Sequence, residues 1–181
     1  EELGCTRIYT AHHANDNAET LLFHLIRGTG LKGLAGIPQR QGNVYRPLLE
    51  TDRRELEAYA ARWKIPHIED ETNADPEAAS RNFLRLRVMP LLEELNPRAV
   101  EHMTRTAGIL AREDEALETL AERESSNAMK RPDGSWAMFT ATLESWPRAA
   151  TERAVLLLMA RACGQRRDFT ARHVQAVLEL R

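Results

Sequence analysis

Residues 9–20, YTAHHANDNAET, put two histidines, an aspartate between two asparagines and a Glu-Thr pair into one passage from strand to helix. Imidazoles and carboxylates placed together can hold a divalent metal or move protons. His13, Asp16 and Glu19 are the groups such a site would use. Their spacing is loose for a metal cage and neither cysteine is near, so no metal ligand set is assigned. Asn15 or Asp16 is expected to cap a helix beginning at Ala18, with Glu19 in its first turn. A loop at the carboxyl end of a parallel strand is, however, where open α/β sheets build their sites, and polar groups crowded there are costly unless used. Asp16 is therefore read as functional as well as local punctuation.

Three later stretches could face phosphate. RGTGLKGLAGIP, residues 27–38, is glycine-rich without matching a phosphate-cradle consensus, but Arg27 at its start could reach a phosphate group. IEDETN, residues 68–73, crowds three acids before a Thr-Asn turn, and like charges so close repel unless cations or solvent share the space. RNFLRLRVMPLL, residues 81–92, sets Arg81 and Arg85 four apart on one helical face beside an apolar face of Leu84, Val88 and Leu91. Arginine forks in register grip anion oxygens in pairs.

The elements that must position these groups change character along the chain. Thr6–Thr10 is a short β-prone run, Ala18–Leu25 carries helix formers, and VYRPLL, residues 44–49, reads as a second short strand ended near Pro47. Asp52 and Glu55 form a capping box ahead of Leu56, Tyr59, Ala60 and Trp63, which predicts a helix over 53–63. Ile65–Ile68 would then return to the sheet. Alternating strand and helix signals mark a parallel α/β sheet. Beyond Pro76 the pattern is helical. Asn96 and Pro97 start a long helix reaching about residue 123, and SSNAMKRPDGSW is a linker or hairpin candidate. Residues 147–163 and 171–180 form a helical pair broken at Gly164, with Thr170 as the second cap.

Net charge is −2, which argues against a general polyanion binder. The average conceals segregation: residues 148–181 carry seven arginines against three acids, while residues 1–80 carry 9 Lys+Arg against 13 Asp+Glu. Local contact with phosphate is compatible with that pattern, as is a solvated helix face. Two distant cysteines and the lack of an apolar run near the roughly 18 residues of a membrane span point to a reducing cytoplasm and no membrane.

Each motif alone is ambiguous, but their order is specific. HHxxDxxET, RGxGxxGLxG, RPLLxxxRxEL (Arg46–Leu56), IEDxTN and RNxxRxxVxPLL resemble, in sequence and spacing, the tRNA(Ile)-lysidine synthetases of the PP-loop ATP pyrophosphatase superfamily. The resemblance is strong over residues 5–96 and weaker through 97–181. It implies the C-terminal part of a Rossmann-like parallel-sheet domain over residues 1–95, a linker helix over 96–124 and a helical substrate-binding domain over 125–181. It also implies ATP with Mg²⁺, L-lysine as co-substrate and an isoleucine tRNA with a CAU anticodon, whose wobble cytidine is activated at the C2 oxygen before lysine displaces AMP. On that resemblance His13, Asp16 and Glu19 are catalytic candidates, with Asp16 orienting the lysine amine and accepting its proton. Arg27, Asn73, Arg81, Asn82 and Arg85 are candidates for binding ATP, phosphate or substrate.

Two departures accompany the resemblance. The family usually has Asp-Asp-Gln where this chain has Asn15-Asp16-Asn17, which leaves one carboxylate of two. The superfamily's SGGxDS loop is not among these residues, so the resemblance implies a fragment that is inactive by itself. An incomplete sheet would expose an edge, and homodimerisation through it is expected. Two other readings stay open at this point: a non-catalytic tRNA- or protein-binding module in 97–181, and a thiolating PP-loop enzyme, against which the separated cysteines argue.

Overall fold

The computed structural model describes residues 4–66, 80–164 and 169–180, and shows a helix-rich mixed α/β chain. It divides into two compact units, Glu1–Arg112 and Glu113–Arg181. The first opens with β1 (Ile8–Tyr9), α1 (Ala14–Ile26), a short α2 (Leu31–Leu34), β2 (Arg40–Gln41) and β3 (Val44–Tyr45). α3 (Arg53–Trp63), α4 (Ser80–Phe83), a π-helical turn (Leu84–Val88) and α5 (Met89–Leu95) follow, and then the first part of α6 (Ala99–Ser125).

The small sheet has the order β1-β3-β2. β1 pairs parallel with β3, Ile8 opposite Val44 and Tyr9 opposite Tyr45, and β2 pairs antiparallel with β3. Parallel neighbours need a crossover, and α1 lies in the one that joins them. The capping box expected at Asp52 is present: its side chain accepts from Arg54 N at 2.7 Å, and Glu55 accepts from Asp52 N at 3.2 Å. Other details differ. α1 begins at Ala14, four residues before the expected start, with His13 as its N-cap. The strand expected from Val44 to near Pro47 ends at Tyr45, and its hairpin partner β2 is an addition to the expected elements. Ile65 and Pro66 are not in a strand, and His67 and Ile68 lie outside the described residues.

Packing centres on α1. Ala14 and Ala18, one turn apart, are buried against Met89 and Val100, with Leu22, Leu92 and Met103 around them. Alanines at these positions leave room for the larger side chains of α5 and α6. The π-helical turn comes from Pro90. A proline cannot donate to the carbonyl four residues back and its ring clashes with it, so a regular helix through residue 90 would be broken. Widening the preceding turn, with Met89 N reaching the Leu84 carbonyl, keeps the helix continuous. The buried face shifts accordingly to Leu84 and Met89, five apart, and Leu91 is left exposed.

The second unit contains the end of α6, a hairpin of β4 (Met129–Lys130) and β5 (Trp136–Ala137), α7 (Thr140–Glu144), α8 (Arg148–Cys163) and α9 (Ala171–Leu178). The Pro-Asp-Gly stretch therefore makes a hairpin, with Gly134 at φ +86°. Ala121, Ala150 and Ala154 are fully buried, and Arg153 of α8 reaches Asp114 at 2.5 Å and Glu118 at 3.3 Å on α6. Thr170 precedes α9 as expected, its amide donating to His173 Nδ1 at 3.1 Å. No helix among the described residues is long and apolar enough to cross a membrane.

Candidate active site

A recess of about 370 Å³ opens where β1 ends, lined by Thr10, Ala11, His12, Asp16, Arg81, Asn82 and Arg85. Residues near 12 and residues near 83, far apart in the chain, meet because α4 and the π-helical turn lie along the first turns of α1. Asp16 is in the first turn of α1, where a carboxylate is favoured by the unsatisfied amides of a helix start. Its Oδ2 accepts from the His13 backbone amide at 3.0 Å and its Oδ1 from Arg85 Nη2 at 3.1 Å.

Glu19, one turn further along, is 2% exposed. A carboxylate this deep needs partners, and two arginines supply them. Arg85 donates from Nε to Oε1 at 2.8 Å and from Nη2 to Oε2 at 3.0 Å, which is the two-pronged geometry of a guanidinium fork. Arg81 donates from Nε to Oε2 at 3.2 Å, and its Nη2 reaches the Asp16 carbonyl at 3.3 Å. The Glu19 hydrogen bond is the main cause holding the Arg85 pKa above its ordinary value. The two arginines read as phosphate grips thus have their forks on Glu19 and Asp16. They remain in the recess wall, where their outer faces could meet an anion.

His13 and His12 stand differently from what the sequence suggested. The His13 ring is half-buried, with Nδ1 enclosed and without a hydrogen-bond partner and Nε2 at 3.5 Å from Asp16 Oδ2. Desolvation by burial pushes its pKa below the ordinary value, outweighing the nearby Asp16. His12, which was not singled out, is the histidine that lines the recess, its Nδ1 at 2.9 Å from Thr10 Oγ1.

The remaining candidates divide. Asn82 joins the recess. Arg27 does not: it follows α1 at its far end, about 16 Å along the helix from Asp16, stacked 5.0 Å over Phe23. Asn73 and the acids of IEDETN lie outside the described residues. The two asparagines beside Asp16 point away from the recess. Asn15 Oδ1 accepts from Arg53 N at 3.0 Å and so tethers the start of α3, a task either Asn or Asp can perform. Asn17 is buried and its Oδ1 accepts from Ile37 N at 2.7 Å, fixing the glycine loop. Gly36, at φ +68°, passes so near that a Cβ there would sit 2.1 Å from Asn17 Oδ1.

The carboxylates are turned toward arginines, and among the described residues no group of three His, Cys, Asp or Glu side chains could hold a metal ion. The donor set does not fit a protein-built Mg²⁺ cage, which would need several oxygens free at once.

A parallel strand, a crossover helix and a polar recess at the strand's carboxyl end describe a nucleotide-binding α/β domain. The family model described as the PP-loop domain matches residues 1–92, and the chain belongs to that family. Curated proteins named tRNA(Ile)-lysidine synthase are similar to it. That of Pseudomonas syringae pv. tomato is 43% identical over 133 residues, covering 71% of this chain and 30% of that protein. That of Porphyromonas gingivalis is 47% identical over 107 residues, 59% of this chain and 23% of that protein. That of Solibacter usitatus is 36% identical over 178 residues, 97% of this chain and 40% of that protein. The chain spans less than half the length of these relatives.

Proposed function

We propose that the protein carrying this chain modifies an isoleucine tRNA as a lysidine-forming, ATP-dependent ligase. The observation that carries the proposal is the convergence of His12, Asp16, Arg81, Asn82 and Arg85 on one recess at the end of β1. In this reading ATP adenylates the C2 oxygen of the wobble cytidine in a CAU anticodon, releasing pyrophosphate, and the ε-amine of L-lysine then forms the N–C2 bond as AMP departs. Asp16 orients the amine. Arg81 and Arg85, held in place by Glu19, present positive charge where phosphate charge develops, and Asn82 donates or accepts beside them. Mg²⁺ enters as the counter-ion of ATP, held by phosphate oxygens and not by a cage of these residues.

Arg27 and Asn73 belong to the same proposal as phosphate or substrate contacts outside the recess, and His13 as the buried support of Asp16. Residues 1–95 act as part of the catalytic domain, 96–124 as the linking helix and 125–181 as the helical domain that meets tRNA, in a cytoplasmic enzyme. Pairing of two copies of the isolated chain through the outward edge of β1 is a further element of the reading, since Ile8 and Tyr9 are both exposed there. The test is transfer of labelled lysine to an unmodified isoleucine tRNA transcript by the complete gene product with ATP. Lysine on the wobble cytidine, with one AMP per transfer, is the expected result. Lysine-independent turnover, or sulfur incorporation, would refute it.

A further inference from the structure

We infer that His12 is the catalytic residue that takes the proton from the lysine amine, with Thr10 fixing its ring; this rests on the lysidine-forming reading above. At neutral pH the amine arrives as an ammonium and must lose a proton before its lone pair can attack C2. The neutral amine then forms the N–C2 bond, and the C2–O bond breaks with its electron pair leaving on AMP. The proton needs an acceptor inside the recess.

Asp16 is poorly placed for that task. Its Oδ1 is held by Arg85 and its Oδ2 by the His13 amide, so a proton added there would displace or weaken a bond that fixes the start of α1 or the arginine. Glu19 is 2% exposed with both oxygens on guanidinium groups. The His13 ring is half-buried and outside the lining. His12 lines the recess, and histidine is the side chain whose acid and base forms interconvert near neutral pH.

The Thr10 hydroxyl at 2.9 Å from His12 Nδ1 completes the arrangement. When Nδ1–H donates to Thr10 Oγ1, Nε2 keeps its lone pair, and after proton transfer the same Nδ1–H bond persists. One ring orientation therefore serves both protonation states. Among the described residues, the charged groups on the same recess are Asp16 from α1, Arg81 from α4 and Arg85 from the π-helical turn, with Glu19 behind the arginines and His13 behind Asp16. Asp16 is left to orient the ammonium while His12 deprotonates it.

The experiment separates the two chemical steps in the complete gene product. Single-turnover adenylation and lysine transfer to pre-adenylated tRNA are measured across pH for wild type, His12→Gln, His12→Ala and Thr10→Val, with thermal melts alongside. Transfer in His12→Gln should fall at least about a hundredfold, and at least tenfold more than adenylation, with loss of the acid limb of the pH profile. Added imidazole should restore transfer to His12→Ala, and Thr10→Val should fall between wild type and His12→Gln. Transfer that stays near wild type with its acid limb intact, or an equal loss in both steps that follows the melting temperature, overturns the assignment. A wild-type protein that forms no lysidine overturns the functional reading first, and the proton acceptor with it.

Discussion

Replacing Glu19 with Gln tests whether this carboxylate does chemistry or holds the arginines that do. Glu19 accepts three bonds from guanidinium groups, two from Arg85 and one from Arg81. A hydrogen bond to a charged group contributes about 1.5–3 kcal/mol. The Arg81 contribution must be discounted, because that side chain is 44% exposed and solvent screens it. Gln keeps one acceptor oxygen, so one Arg85 bond survives at about half strength, while the new amide sets N–H groups against a guanidinium. Arg85 also retains Asp16 at 3.1 Å. Together these place the loss near 3 kcal/mol, the low end of the range for breaking a buried ion pair. For a unit of this size that is a fall in melting temperature of about 10 °C. Lysine transfer should fall with it, and Glu19→Asp should recover part of both. A Glu19→Gln protein that melts within about 2 °C of wild type yet has lost transfer would refute the positioning role and make Glu19 a reacting group.

Asp16→Asn keeps the acceptor for the His13 amide but loses the charge facing Arg85 and the incoming amine, so lysidine formation should be abolished while circular dichroism stays that of wild type; near-normal turnover would remove Asp16 from the site. Arg85→Lys cannot span both Glu19 oxygens and Asp16, so activity should drop at least about tenfold, roughly 1.4 kcal/mol, and the melting temperature should drop too, whereas Arg81→Lys should cost activity with less stability, as read from paired kinetics and melts. Burial depresses the His13 pKa below 6.5, so between the two values the unfolded chain binds more protons than the folded one. Stability should therefore be full above about pH 6.5 and decline as pH falls through the folded value, and His13→Gln should flatten that decline in urea titrations; an unchanged slope in the variant would exclude His13 as its source.

The parts of the fold that were legible in the sequence are those fixed by local chemistry. The Asp52 box, the Pro-Asp-Gly turn, Gly164 and the Thr170 cap each act through neighbours a few residues away, and each ends or starts an element where expected. What was not legible depends on distant partners. β2 is only two residues long and exists because β3 pairs with it, and α2 nests inside a glycine-rich run whose composition signals a loop. The early start of α1 follows from Asp16 closing back on the His13 amide, a bond that two candidate caps in a row disguise.

The site shows the same division more sharply. Residue types gave Asp16, Glu19, Arg81 and Arg85, since carboxylates and arginines at helical spacing are an obvious pairing of charges. Their mutual use depends on partners more than 60 residues apart, which spacing within either helix does not show. On a regular helix Leu84, Val88 and Leu91 would be buried together. The wider turn before Pro90 buries Leu84 and Met89 instead, while Arg81 and Arg85 both face Glu19 and Asp16. The substitutions around Asp16 fit that view as well. Asn15 and Asn17 spend their oxygens on the amides of Arg53 and Ile37, so the departure from the pattern expected at these positions falls on the scaffold of α3 and the glycine loop, and among the described residues Asp16 is the carboxylate lining the recess, held by Arg85.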